Sequence, residues 1–282
     1  MVKNPSLLRL LSSLPHDRTL VMGILNVTPD SFSDGGRYAD PARAVSHALA
    51  MIEEGADIID LGGESTRPGH EPVTADEELR RILPVLERLA PECSVPISID
   101  TTKAEVARRA VALGACVIND QWGLQGDADM AAVAAELHVP VIAMHNQRGH
   151  VYDNLMPDII AYLRRSLERA DEVGLGREHV IVDPGFGFGK TPAQNLEVLR
   201  RLGELKTLER PILIGTSRKS MIGHVLPAMS PSERLDGTAA TVALGIAFGA
   251  DIVRVHDVRA MTRVARMADA VVRQSPVGAH GP

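Results

Sequence analysis

Eight short apolar runs, at 20–26, 58–62, 96–100, 116–120, 140–145, 180–183, 211–215 and 251–256, constrain the fold of this 282-residue chain more than any other feature. Each is a nearly continuous stretch rich in Val, Ile and Leu, which is how a strand buried on both faces reads. A polar or glycine-rich segment follows each run, and then apolar residues at helical spacing, the order of a parallel βα unit. Eight such units predict an α/β protein folded as a single-domain (β/α)8 TIM barrel, and the length suits the roughly 250 residues that barrel needs. The alternative is a doubly wound open sheet, which requires strand order to reverse, and periodicity is blind to strand order. No shift in composition marks a linker between two halves.

The helices between the runs announce their starts. Asp40-Pro41, Thr191-Pro192 and Ser230-Pro231 each place a capping residue before a proline suited to the first helical turn, and Gln194 and Glu233 complete capping boxes in the last two. Thr74 with Glu77 forms another box, ahead of a stripe of Leu79, Ile82, Leu83, Leu86 and Leu89 that Pro84 is expected to kink. Residues 1–17 are expected to form an N-terminal extension with a short helix, 18–274 the catalytic barrel, and 275–282 a disordered tail.

Composition excludes several functions. A net charge of -6 offers no positive field for a nucleic-acid backbone. No apolar run approaches the roughly 20 residues of a membrane span, and Arg9 interrupts the only segment resembling a secretory signal. Cys93 and Cys116 lie far apart in no metal-binding spacing, which suits a reducing compartment.

The chemistry concentrates at the strand ends. A strand buried on both faces should stay apolar, so a charged or amide residue at its last position is costly unless something uses it. Asn26, Asp60, Asp100, Asn119 with Asp120, His145, Asp183 and Arg254 with His256 all stand at such ends, and Lys219 follows the seventh run. A closed barrel gathers these positions at one mouth, where barrel active sites lie. Taken singly, an Asp after a strand is a helix cap or turn former, and Asp60, Asp120 and Asp257 suit that role. The glycine-rich stretch 185–191 fails both phosphate-loop patterns: Pro184 stands where G-x-x-x-x-G-K-T needs glycine, and Lys190 where G-x-G-x-x-G does. It reads instead as flexible backbone beside a pocket, with Phe188 as a flat wall. The loops at 27–36 and 64–69 are long for βα connections and have the composition of mobile lids.

Eight segments, in order along the chain, carry a family resemblance. They are 22–36, 62–69, Ser98-Ile99-Asp100-Thr101, Asn119-Asp120, Met144-His145, Asp183-Pro184-Gly185-Phe186-Gly187-Phe188-Gly189-Lys190, 215–220 and 254–258. Together they resemble the motif series of the dihydropteroate synthase family. The resemblance implies condensation of 6-hydroxymethyl-7,8-dihydropterin diphosphate with p-aminobenzoate, giving 7,8-dihydropteroate and diphosphate in folate biosynthesis. It further implies Mg²⁺, a cytoplasmic homodimer, and a target of sulfonamides.

Carried onto this sequence, the resemblance assigns the pterin to Asp100, Asn119, Met144, Asp183, Phe188, Gly215, Lys219 and Arg254. Carboxylates and an amide satisfy the row of ring N–H groups, Lys219 meets the acceptor side, and Arg254 stacks on the ring face. It assigns the diphosphate to Asn26, Arg67, Arg254 and His256, with the metal on Asn26. Thr66, Pro68, Phe188 and Ser217 fall to p-aminobenzoate. Asp100, Lys219, Arg67, Arg254 and His256 form the catalytic set for an SN1-like path, in which Asp100 favours a positive pterin methylene. An arylamine is neutral near pH 7, so neither a covalent nucleophile nor a strong base is required. The sequence departs from the family pattern at Gln121-Trp122-Gly123 and Asn146-Gln147-Arg148. The competing readings are a methyltetrahydrofolate methyltransferase domain, which shares the Asp100, Asn119 and Asp183 set, and a non-catalytic pterin-binding paralogue.

Overall fold

The structure, a computed structural model, describes residues 18–28, 40–64, 72–227 and 229–273. The expected N-terminal extension and tail, most of the first long loop, and Thr66, Arg67 and Pro68 in the second lie outside the described residues.

Eight parallel strands form one sheet: β1 Leu20–Asn26, β2 Ile58–Gly62, β3 Ile97–Asp100, β4 Val117–Asp120, β5 Val141–Met144, β6 Val180–Asp183, β7 Leu213–Ile214 and β8 Ile252–Val255. The order 6-5-4-3-2-1-8-7 never reverses. A bridge between Val182 and Ile212 joins β6 to β7 and completes the circle, with the Val182 N–H 2.9 Å from the Pro211 carbonyl. The sheet is therefore a closed (β/α)8 barrel, and the open-sheet alternative falls. Closure matters energetically, because a barrel leaves no edge strand with unpaired backbone groups.

Helices α1 Pro41–Glu53, α2 Ala75–Leu89, α3 Ala104–Ala112, α4 Met130–Leu137, α5 Leu155–Glu172, α6 Pro192–Arg200, α7 Ser220–Val225, α8 Leu235–Ala247 and α9 Val258–Val272 surround it. The capping signals act as read. Asp40 accepts from the Ala42 N–H, Thr74 from that of Glu77, and Thr191 with Gln194 closes a reciprocal box. The Ser230 and Glu233 box opens a single 3-10 turn instead of a full helix. Helix α2 runs uninterrupted through Pro84 and buries Leu79, Ile82, Val85, Leu86 and Leu89, so Val85 takes the core place expected of Leu83.

Side chains alternate across a strand, and the alternation divides the core. One set, including Val21, Leu25, Ile59, Ile99, Ile118, Val182 and Val253, packs outward under the helices. The other, Leu20, Met22, Ile58, Val117, Ile142, Ile181, Leu213 and Ile252, forms a separate cluster that plugs the barrel interior. Continuing up each strand with the same parity leads from that plug to Asn26, Asp60, Asp100, Asn119, Met144, Asp183 and Arg254. The barrel interior is therefore apolar below and polar above, and the polar layer is the floor of the mouth.

Candidate active site

Register decides which polar groups meet. Gly62 pairs with Asp100, Asp100 with Asn119, and Met144 with Asp183 on adjacent strands. At the centre stands Arg254, whose Nε donates to Asp60 Oδ2 at 2.6 Å and whose Nη2 donates to Asp100 Oδ2 at 2.7 Å. Asn119 Nδ2 donates to the same Asp60 oxygen at 3.0 Å, and Gln121 Nε2 to Asp100 Oδ1 at 2.7 Å. One chain of charge-assisted hydrogen bonds thus runs Asn119, Asp60, Arg254, Asp100, Gln121. Asp60, which suited a turn former on sequence grounds, lies fully buried inside the barrel and sets the position of Arg254 and Asn119. Asp120 points the other way and takes the turn role, accepting from the N–H groups of Trp122 and Leu124.

Burial shifts Asp100, Asp183, Lys219 and His256 toward their neutral forms. Desolvation pushes the Asp100 carboxyl up to about 7 against the pull of Arg254, with Asp60 adding to the rise. Asp183 is pushed up to about 6 by the same cause, opposed by the Gly185 N–H that donates to its Oδ1 at 2.7 Å. Desolvation and then Arg254 lower Lys219 to about 8. Its ammonium lies 4.4 Å over the Phe188 ring, so cation and aromatic wall form one surface. Gly187, at φ +80°, brings backbone where a Cβ would crowd the Lys219 stem.

His256 differs from expectation. Assigned to the diphosphate and the catalytic set, it is no cation here: burial and then Arg254 depress its imidazole to about 3, so it is neutral. Ser217 Oγ accepts from the His256 backbone N–H at 3.2 Å and lies 2.9 Å from its Nδ1. Ser217 is therefore turned to His256 and buried. Around Gly215 the space a Cβ would enter is open among the described residues, which leaves room for a ligand at the end of β7.

Asn26 ends β1, and its Oδ1 and Asp100 Oδ2 lie 3.4 and 3.7 Å from where a Cβ on Gly62 would stand. Among the described residues no group of three or more His, Cys, Asp or Glu side chains could cage a metal. A hard oxygen donor on its own fits Mg²⁺, which keeps several waters and binds through one or two protein oxygens plus substrate phosphates.

Two features escaped sequence reasoning. Lys190 read as the end of a flexible loop, yet it is buried against His145. Lys103 bridges Glu64 and the fully buried Glu78, and Arg81 donates to the Gly63 carbonyl at 2.9 Å, so the exit of β2 is pinned by α2 and the turn before α3. Neither the strand ends nor the capping box of α2 marked Lys103 or Glu78, which lie outside both patterns.

The fold and this mouth define a barrel of the pterin-binding class. The family model described as "Pterin binding enzyme" matches residues 22–256. The dihydropteroate synthase of Bacillus subtilis (strain 168) is 52% identical over 261 residues, covering 93% of this chain and 91% of that protein. The solved structure of the Clostridium difficile dihydropteroate synthase in the presence of pteroic acid superposes with a TM-score of 0.88 at 56% identity, covering 91% and 97% of the two chains. That of the Xanthomonas albilineans enzyme with 4-aminobenzoic acid gives 0.87 at 44%, covering 90% and 93%. The chain belongs to the dihydropteroate synthase family, and the methyltransferase reading is set aside.

Proposed function

We propose that this protein condenses 6-hydroxymethyl-7,8-dihydropterin diphosphate with p-aminobenzoate, releasing 7,8-dihydropteroate and diphosphate. The observation that carries the reading is the polar floor of the barrel, where Asp100, Asn119 and Asp183 converge from three strands beside Lys219 and Arg254. A flat heterocycle with alternating N–H donors and ring acceptors matches that set. Asp183, held at Oδ1 by Gly185, presents its other oxygen to ring donors, and Lys219 donates to the acceptor edge while Phe188 and Met144 cover the faces.

The bond that breaks joins the pterin methylene carbon to a diphosphate oxygen, and the electron pair leaves with the diphosphate. Arg254 answers the growing negative charge from the floor, and the neutral His256 donates its ring N–H. Asp100, ionised, offsets the positive charge left on the methylene, in keeping with an SN1-like path. The arylamine nitrogen then forms the new C–N bond and loses a proton to solvent. Asn26 would hold Mg²⁺, which would supply further neutralisation of the leaving group. The family resemblance carries a diphosphate role to Arg67 and a p-aminobenzoate role to Thr66, Pro68, Phe188 and Ser217, the site at which sulfonamides would compete.

A homodimer is supported by the exposed apolar side chains Leu235 and Leu244 on α8 and Met267, Val271 and Val272 on α9, two helices that pack on each other. Both cysteines are thiols, as in the cytoplasm, and no helix of the described residues is long and apolar enough to cross a membrane. Diphosphate release from the two substrates and Mg²⁺ tests the reaction. Binding of both substrates without release would leave a non-catalytic pterin-binding protein.

A further inference from the structure

We propose that Gln121 is a positioning residue for Asp100, its side-chain amide fixing one carboxylate oxygen while Arg254 fixes the other. The inference rests on the reaction assigned above. The two donors reach Asp100 from different parts of the mouth, Arg254 from within β8 and Gln121 from the first position beyond β4. They take different oxygens, Oδ2 and Oδ1, each at 2.7 Å. Held at both, the carboxylate plane is set. Held by Arg254 alone, it pivots about that contact, because the guanidinium is shared with Asp60 through Nε.

The geometry also separates this role from a structural one. The loop after β4 is built by other groups: Asp120 accepts from Trp122 and Leu124, and the Tyr162 hydroxyl donates to the Trp122 carbonyl at 2.7 Å. Among the described residues the amide of Gln121 bonds to Asp100 alone, so its loss leaves the loop standing and changes the carboxylate.

A donated hydrogen bond favours the ionised acid. Asp100 is faced by Arg254 of β8 and Lys219 beyond β7, which favour its charge, and by Asp60 of β2 and Glu78 of α2, which oppose it. Gln121 adds support that does not itself titrate. Because burial already brings Asp100 to about 7, loss of one donor changes its charge near neutral pH.

The test compares wild type with Gln121→Leu by following diphosphate release across pH with limiting pterin diphosphate. The acid limb of kcat/KM should move upward by about one pH unit, the scale of one hydrogen bond to a charged group. A limb that stays in place overturns the proposal, whether the rate is unchanged or lowered uniformly at every pH. A second readout needs no turnover: carbon-13 NMR titration of the Asp100 carboxyl in the ligand-free protein, assigned with Asp100→Asn. Its midpoint should rise in Gln121→Leu, and equal midpoints overturn the proposal. If wild type releases no diphosphate, the assigned reaction fails while this titration still decides the role of Gln121.

Discussion

Lys190 Nζ lies 2.9 Å from Nδ1 of His145, and its two remaining protons reach the carbonyl oxygens of Gly185 and Phe188 at 3.0 Å each. Burial pulls this amine down to about 7, and when protonated it offers three donors to three acceptors, tying the end of β5 to the loop after β6. That loop turns through Gly185, Gly187 and Gly189, all at positive φ, and a Cβ on Gly185 would overlap the His145 carbonyl oxygen. The lysine thereby holds Phe188 where it faces Lys219.

Replacing Lys190 with Met strands those three acceptors. An unsatisfied buried polar group costs about 1–3 kcal/mol, and partial relaxation should keep the total near about 3 kcal/mol in urea unfolding. The KM for pterin diphosphate should rise as well, because Phe188 loses its support. Unchanged stability and KM would show that the cage is dispensable.

His145 makes folding sensitive to acid. Burial, and then Lys190, depress its imidazole to about 3, whereas the unfolded chain takes up the proton near about 6.5. The unfolded state therefore binds more protons between those values. Its contribution to stability is complete above about 6.5 and lost as pH falls toward 3. Urea midpoints measured through that window should fall less steeply for His145→Gln than for wild type, and parallel curves would refute the assignment.

Arg254→Met leaves Asp60 and Asp100 in a buried layer without the guanidinium that bonds to both. Breaking a buried pair by removing one partner costs about 3–5 kcal/mol. Thermal unfolding should show the loss, and adding Asp60→Asn should recover part of it by removing one stranded charge. A double variant no more stable than the single would mean that Asp60 is not the group Arg254 neutralises.

Asp183→Asn keeps shape but removes the acceptor charge opposite the ring donors. Calorimetry with the pterin diphosphate should show at least about a tenfold loss of affinity, or about 1.4 kcal/mol. Wild-type affinity should itself fall as pH drops below about 6, where Asp183 takes up a proton. Affinity unchanged in the variant would remove Asp183 from the pterin set.

The local layer of the fold was legible in the amino-acid sequence. The runs at 20–26, 58–62 and 180–183 coincide with β1, β2 and β6, and Thr191 with Gln194 caps α6 as read. Burial on both faces and satisfaction of helix ends leave signatures within a few residues. At the seventh strand the run 211–215 shrank to Leu213–Ile214, because its neighbour β6 pairs with it only through the Val182 and Ile212 bridge.

The tertiary structure decided what depends on register and closure. The sequence determined that polar residues end the strands, and the family motifs named the reaction. Which of them touch is another matter: Asp60 and Arg254 are 194 positions apart and meet only because β1 and β2 continue the circle from β8. The same closure buries His256 until it is neutral and turns Lys190 from a loop residue into a strut. Strand parity is written locally, every second residue, whereas the partner across the barrel is set by stagger and desolvation, which no short stretch of chain contains.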